Sequence, residues 1–182
     1  MFSIPLNLPS ILSNTINLNN FCFYFVLNKS LYSKFLNIEV LEQLNKLEVE
    51  ISSVEFFYKN SNNVGPGAHV DDLYTTDFIK LNWIYGDLTA KMVWYKPIEN
   101  FRGLVSSHHT INYLYFPPDR ITEIHSEILQ SPSIVQVGIP HSIKNISSER
   151  WAISLTLTKN GQFIDINNAF HLFSNLRKTT GF

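Results

Sequence analysis

The clearest alternation of apolar and polar positions runs over residues 150–158 (RWAISLTLT). There Trp151, Ile153, Leu155 and Leu157 fall on one side of an extended chain, and Ala152, Ser154, Thr156 and Thr158 on the other. This predicts a strand with one face packed on apolar structure and the other lining something polar and roomy. Further strands are predicted at 21–27, which is wholly apolar, and at 51–59, 78–85, 91–96, 110–116 and 134–139. Gly86-Asp87 suits a hairpin turn between the strands at 78–85 and 91–96. Over 32–47 the apolar residues Phe35, Ile38, Leu41, Leu44 and Leu47 recur every three positions among Glu and Lys, which predicts a helix with one stripe packed on the outside of a sheet. A second helix is predicted at 165–178, with Ala169, Leu172, Phe173 and Leu176 on one face.

Less regular segments separate these elements. The first twenty residues are rich in Asn, Pro and Ser and read as an irregular arm with one short strand at most. Residues 60–67 (NSNNVGPG) form a turn cluster, and Pro140-His141 ends the strand at 134–139. Residues 97–120 carry Pro97, Gly103, Pro117 and Pro118 and predict a hairpin or long loop near the mouth of the fold, while 121–130 fits helix or strand equally.

The order is a short α/β preface, a run of strands without intervening helices, and a closing helix. It predicts a mainly β sandwich or jelly roll with flanking helices and disfavours a parallel α/β sheet. A length of 182 residues fits one domain over 1–182, with a core at about 50–160, an arm and helix at 1–49 and a closing helix at 163–182.

Composition narrows the setting. With 45% hydrophobic and 16% charged residues the chain is of globular type, and a formal net charge of −1 offers no basic excess for nucleic acid or an anionic membrane. The single cysteine, Cys22, excludes an intramolecular disulfide and suits a reducing, cytoplasmic setting. No positively charged leader precedes Lys29, and the longest apolar run, 21–27, is too short for a spanning helix. Abundant Asn, Ile, Lys, Phe and Tyr match AT-rich coding, as in a phage, in which case the cytoplasm is the host's.

The candidate chemistry lies in four residues. His69 and Asp71 stand one residue apart after the turn cluster, so in extended chain their side chains point the same way. His141 follows a distant strand, and together the three make a 2-His-1-carboxylate set, which binds Fe(II) on one face and leaves positions for a chelating co-substrate and dioxygen. Arg150, nine residues after His141, has the planar fork that grips a carboxylate with two parallel hydrogen bonds.

His-Val-Asp after a Gly/Pro turn, Pro140-His141-Ser142 and the Arg-Trp-Ala-Ile-Ser strand resemble the prolyl-4-hydroxylase-like branch of the 2-oxoglutarate and Fe(II) dioxygenases. LNWIYG at 81–86 and MVWY at 92–95 are similar to phage and marine bacterial members. The resemblance covers roughly 55–158. It implies a double-stranded β-helix (jelly roll, cupin-like) with Fe(II) on His69, Asp71 and His141. It implies also that Arg150 grips the distal carboxylate of 2-oxoglutarate, with a hydroxyl such as Ser154 or Tyr95 assisting. The activity implied is hydroxylation of a substrate C–H bond coupled to decarboxylation of 2-oxoglutarate to succinate, with ascorbate as the candidate reductant and no side chain acting as nucleophile or general base.

Plainer readings stand beside these. His69 and Asp71 alone would be an ordinary turn pair, and Asp72 competes with Asp71 as ligand. Asn82 points into the cavity toward substrate or co-substrate, or is satisfied by its strand neighbours. His108 and His109 read as surface loop, His125 and His171 as surface or half-buried positions, and Trp83, Trp94 and Trp151 as core. The rival functions are a non-catalytic jelly-roll binding or structural module, for instance in a phage particle, and a cupin-like metal enzyme that leaves Arg150 without a role. The substrate class, small-molecule or peptidyl, and the oligomeric state are not encoded in any motif of the chain.

Overall fold

The computed structural model describes residues 1–13, 24–60, 67–71, 78–99, 101–108 and 111–178. Two antiparallel sheets face each other. The first holds β1 (Ser3–Pro5), β2 (Tyr24–Val26), β3 (Glu50–Lys59), β5 (Ile79–Gly86), β10 (Ser133–Gln136), β12 (Arg150–Lys159) and β13 (Gln162–Phe163), in the order β1-β10-β5-β12-β3-β2 with β13 beside β12. The second holds β4 (Ala68–Val70), β6 (Lys91–Pro97), β7 (Leu104–His108), β8 (Ile111–Phe116), β9 (Ile121–Ile128) and β11 (His141–Lys144), in the order β7-β8-β4-β11-β6-β9. Within them β3 pairs with β12, β4 with β11, β5 with β10 and β6 with β9, so the earliest strand of this set meets the last and the pairing works inward.

The alternation of β12 is realised in full. Trp151, Ile153, Leu155 and Leu157 join the main core with Val54, Phe56, Leu81 and Trp83. That core is closed from outside by two helices, α2 (Ile38–Lys46) through Val40 and Leu44, and α3 (Ile166–Leu172) through Ala169, followed by Phe173. The N-terminal arm straps across the same face, with Leu6 and Ile11 fully buried and the Nε1–H of Trp83 donating to the Pro9 carbonyl at 2.8 Å. The other side of β12 turns Arg150, Ala152, Ser154, Thr156 and Thr158 toward the space between the sheets, all of them buried. A smaller cluster there joins the sheets through Ile84 and Val135 from one and Met92 and Trp94 from the other.

Several expectations need correction. The strands at 78–85 and 91–96 form β5 and β6, but these lie in different sheets and make no hairpin. Asp87 folds the connection by accepting from the Thr89 N–H (2.8 Å) and the N–H groups of Ser147 (2.6 Å) and Ser148 (3.2 Å), which carries the chain across the sandwich edge. Gly86 (φ +84°) allows this, because a Cβ there would lie 2.2 Å from the Glu149 carbonyl oxygen.

His141 does not end a strand but begins β11, the chain having changed sheets after β10. The helix at 32–47 is two, α1 (Tyr32–Phe35) and α2, broken where Asn37 caps the Glu39 N–H. The break rotates the buried stripe to Val40 and Leu44 and leaves Ile38 61% exposed. The closing helix stops at Leu172 and passes into a 3-10 turn, Ser174–Leu176. The undecided segment 121–130 is β9, and 97–120 contains the β7–β8 hairpin. The first three residues of the strand at 21–27, Cys22 among them, and most of the 60–67 turn lie outside the described residues.

Candidate metal centre

β4 and β11 are neighbours, and their register sets His69 directly opposite His141. Paired residues of antiparallel strands share a face, so both imidazoles project between the sheets, with ring centroids 4.7 Å apart. Asp71 follows β4 by one residue and turns to the same side. Its Oδ1 lies 3.2 Å from His69 Nε2 and 3.4 Å from His141 Nε2. One donor atom from each of the three lies within 4.8 Å of the other two, a group able to hold a metal ion. Asp72 lies outside the described residues.

The hydrogen bonds around the triad fix which atoms it offers. His69 Nδ1 lies 2.9 Å from the Gly67 carbonyl and His141 Nδ1 2.9 Å from the Ile139 carbonyl. A carbonyl only accepts, so each Nδ1 carries a proton, and Nε2 is the atom each ring turns toward Asp71. Burial pushes the His141 imidazole below its ordinary value, which keeps it neutral near pH 7. Gly67, at φ +71°, aims its carbonyl at His69. Both Nε2 atoms and one carboxylate oxygen therefore face one point, the donor set that a metal ion needs.

Reading the sequence missed the residue that holds this carboxylate. Lys80, on β5 and 5% exposed, places Nζ 2.7 Å from Asp71 Oδ2 and 2.5 Å from Glu55 Oε2 on β3. Burial alone would lower the Lys80 ammonium, but Asp71 and Glu55 outweigh it and raise it above the usual lysine value. Burial would likewise push the Asp71 carboxyl up, and Lys80 and the two imidazoles hold it well below the carboxylate range instead. Oδ2 is thus engaged by Lys80 while Oδ1 faces the histidines. The available signal was a lysine inside the otherwise apolar run FIKLNWIY, one face period from Asn82.

The cofactor-side residues separate into two groups. Asn82 and Ser154 are register partners on the inner face, with Glu55 on the other side of Ser154. Asn82 Oδ1 is buried without a hydrogen-bond partner among the described residues. Arg150 is on the same face, four residues along β12 from Ser154, about 13 Å at strand rise. Its Nε is buried and has no hydrogen-bond partner among the described residues, and burial lowers the guanidinium to about 10, with Asp87 opposing the shift.

Tyr95 departs from expectation. Trp94 pairs with His141 and so faces inward, which puts Tyr95 on the outer face with Ala68, Val93 and Phe116, where its hydroxyl meets Ser142 Oγ at 2.8 Å. In an apolar MVWY run both parities look alike, so the sequence did not show which aromatic turned inward. His125 lies on β9, stacked at 4.9 Å on Phe2, and His171 is an exposed residue of α3. His108 lies on β7 and His109 lies outside the described residues. Trp83, Trp94 and Trp151 are all core.

Among the described residues no helix is long and apolar enough to cross a membrane. Comparison of the chain with protein-family models, with curated proteins and with solved structures gave no match. The site is therefore characterised by its own geometry, a His69-Asp71-His141 group able to take a metal ion between two antiparallel sheets.

Proposed function

We propose that the chain is an Fe(II)- and 2-oxoglutarate-dependent dioxygenase that hydroxylates a small-molecule or peptidyl substrate, built on a double-stranded β-helix. The fold reading is supported by the nested pairing of β3/β12, β4/β11, β5/β10 and β6/β9, the pattern of a strand ribbon rolled across two sheets. The observation that carries the activity is the donor set. Two Nε2 atoms and one carboxylate oxygen form the 2-His-1-carboxylate ligation that Fe(II) oxygenases use. Bound there, Fe(II) with 2-oxoglutarate supplies coupled oxidation, in which O2 gives one oxygen atom to succinate and one to the hydroxylated product while CO2 leaves.

The protein's own part is placement and shielding. His69 and His141 are locked in the ligand tautomer by the Gly67 and Ile139 carbonyls. Lys80 holds Asp71 Oδ2, which favours coordination through Oδ1 alone. Arg150 would take the carboxylate remote from the metal, and Asn82 and Ser154 border the path between. Trp94 and Ile84 are buried in the apolar cluster that joins the two sheets beside the site.

A second reading is favoured by Lys80. An internal ammonium already compensates Asp71, as it would in a non-catalytic binding or structural module that needs no metal. One assay separates them. Under air, with Fe(II) and ascorbate, the oxygenase releases succinate from 2-oxoglutarate and Asp71→Ala does not. Absence of both succinate release and Fe(II)-dependent 2-oxoglutarate binding in the unaltered chain would overturn the proposal.

A further inference from the structure

Arg150 has a cationic neighbour. In the register of β3 with β12 its partner is Lys59, so the two side chains leave the same face with Cβ atoms about 5 Å apart. Like charges set directly opposite on a sheet destabilise it. Among the described residues Lys59 and Arg150 make no ion pair, and Arg150 Nε has no hydrogen-bond partner although the residue is 6% exposed. Asp87, the acid that acts on Arg150, is committed to Thr89, Ser147 and Ser148. Burial first and Arg150 second lower the Lys59 ammonium to about 8, against Asp71, which raises it.

Lys59 also reaches a cleft of about 620 Å³ that opens on the outer face of the second sheet, beside Tyr95, Ser142 and Lys144. In that cleft Lys144 is already bonded to Glu123 at 3.3 Å. Two cations set opposite each other on the inner face, neither with an ion-pair partner among the described residues, make a site completed by an anion.

We infer that Lys59 and Arg150 form a two-cation clamp for the remote carboxylate of the co-substrate, with Lys59 as a second binding residue. This rests on the oxygenase reading. The arrangement explains why a pair that weakens the free protein is built into the sheet, since the bound carboxylate supplies a counter-charge between them.

The test is calorimetric titration of the full chain, loaded with redox-silent Mn(II), with 2-oxoglutarate and with 2-oxobutanoate, a 2-oxo acid lacking the remote carboxylate. It is run near pH 8 in two buffers of different ionisation heat. A charge-assisted contact to each cation predicts that Lys59→Met weakens 2-oxoglutarate binding about 10- to 100-fold, leaving 2-oxobutanoate unchanged. The anion draws a proton onto Lys59, so wild type takes up a fraction of a proton per ligand. Lys59→Met takes up none, and Lys59→Arg restores affinity without proton uptake. Because Lys59→Met removes a charge opposed to Arg150, its ligand-free unfolding midpoint at pH 7 should rise, which separates the effect from misfolding.

Wild-type affinity and persistent proton uptake in Lys59→Met, with binding lost in Arg150→Met, overturn the clamp and leave the oxygenase reading standing. A Mn(II)-loaded wild type that ignores 2-oxoglutarate overturns both.

Discussion

Lys80 is the residue on which the centre of the molecule depends. It is 5% exposed and bridges Asp71 and Glu55 from three different segments of the chain. Removing one member of a buried charge group leaves the others uncompensated, at a cost of about 3–5 kcal/mol. Lys80→Met should lower stability by that amount in urea unfolding, and adding Glu55→Gln should recover part of it. The triad itself was legible from sequence, because His69 and Asp71 at i and i+2 share a face in extended chain and His141 supplies the third ligand. Lys80, Glu55 and Lys59 were not. Each sits at a position that alternation allows to be an ordinary polar residue, and only the register between β3, β5 and β12 puts them side by side.

At the scale of elements, the connection from β5 to β6 decides whether the two sheets are joined correctly. Gly86→Ala adds a Cβ at a positive φ against the Glu149 carbonyl. It should cost about 1–3 kcal/mol from backbone strain alone, with the clash adding to it, read as a shift in the denaturant midpoint with unchanged slope. The Asp87 carboxyl is held below the carboxylate range by the hydroxyl and N–H donors of Thr89 and Ser147.

A group depressed on folding adds stability that is complete above its unfolded value of about 3.9 and is lost as pH falls toward its lower folded value. Asp87→Ala should therefore lower stability at pH 7 and flatten the acid limb below about pH 4, measured as urea midpoint against pH. The hairpin expected here failed because Gly-Asp is also what a sheet-to-sheet crossing uses, and the distant partners, Ser147 and Ser148, carry no local signature. The split of the 32–47 helix has the same origin, since an every-third spacing continues smoothly through Asn37 while the side chain of Asn37 caps a new start.

For the molecule as a whole, a ligand that binds only the folded chain stabilises it by mass action. At about a hundredfold excess over its dissociation constant the gain is about 2.7 kcal/mol, or roughly 5–10 °C for a domain of this size. Mn(II) should raise the melting temperature accordingly in scanning fluorimetry, and His141→Ala should abolish the rise. The mainly β character was readable because β12, β5 and β6 announce themselves by composition and alternation. The order of strands across the two sheets was not, because pairing β3 with β12 joins residues a hundred positions apart that share no local signal.

The Lys80 ammonium has a consequence for the life history of the protein. Because Asp71 already has an internal counter-ion in Lys80, the newly made chain can finish folding before any metal ion arrives. Occupation of the His69-Asp71-His141 group is then a separate, later event, set by metal supply rather than by the rate of synthesis.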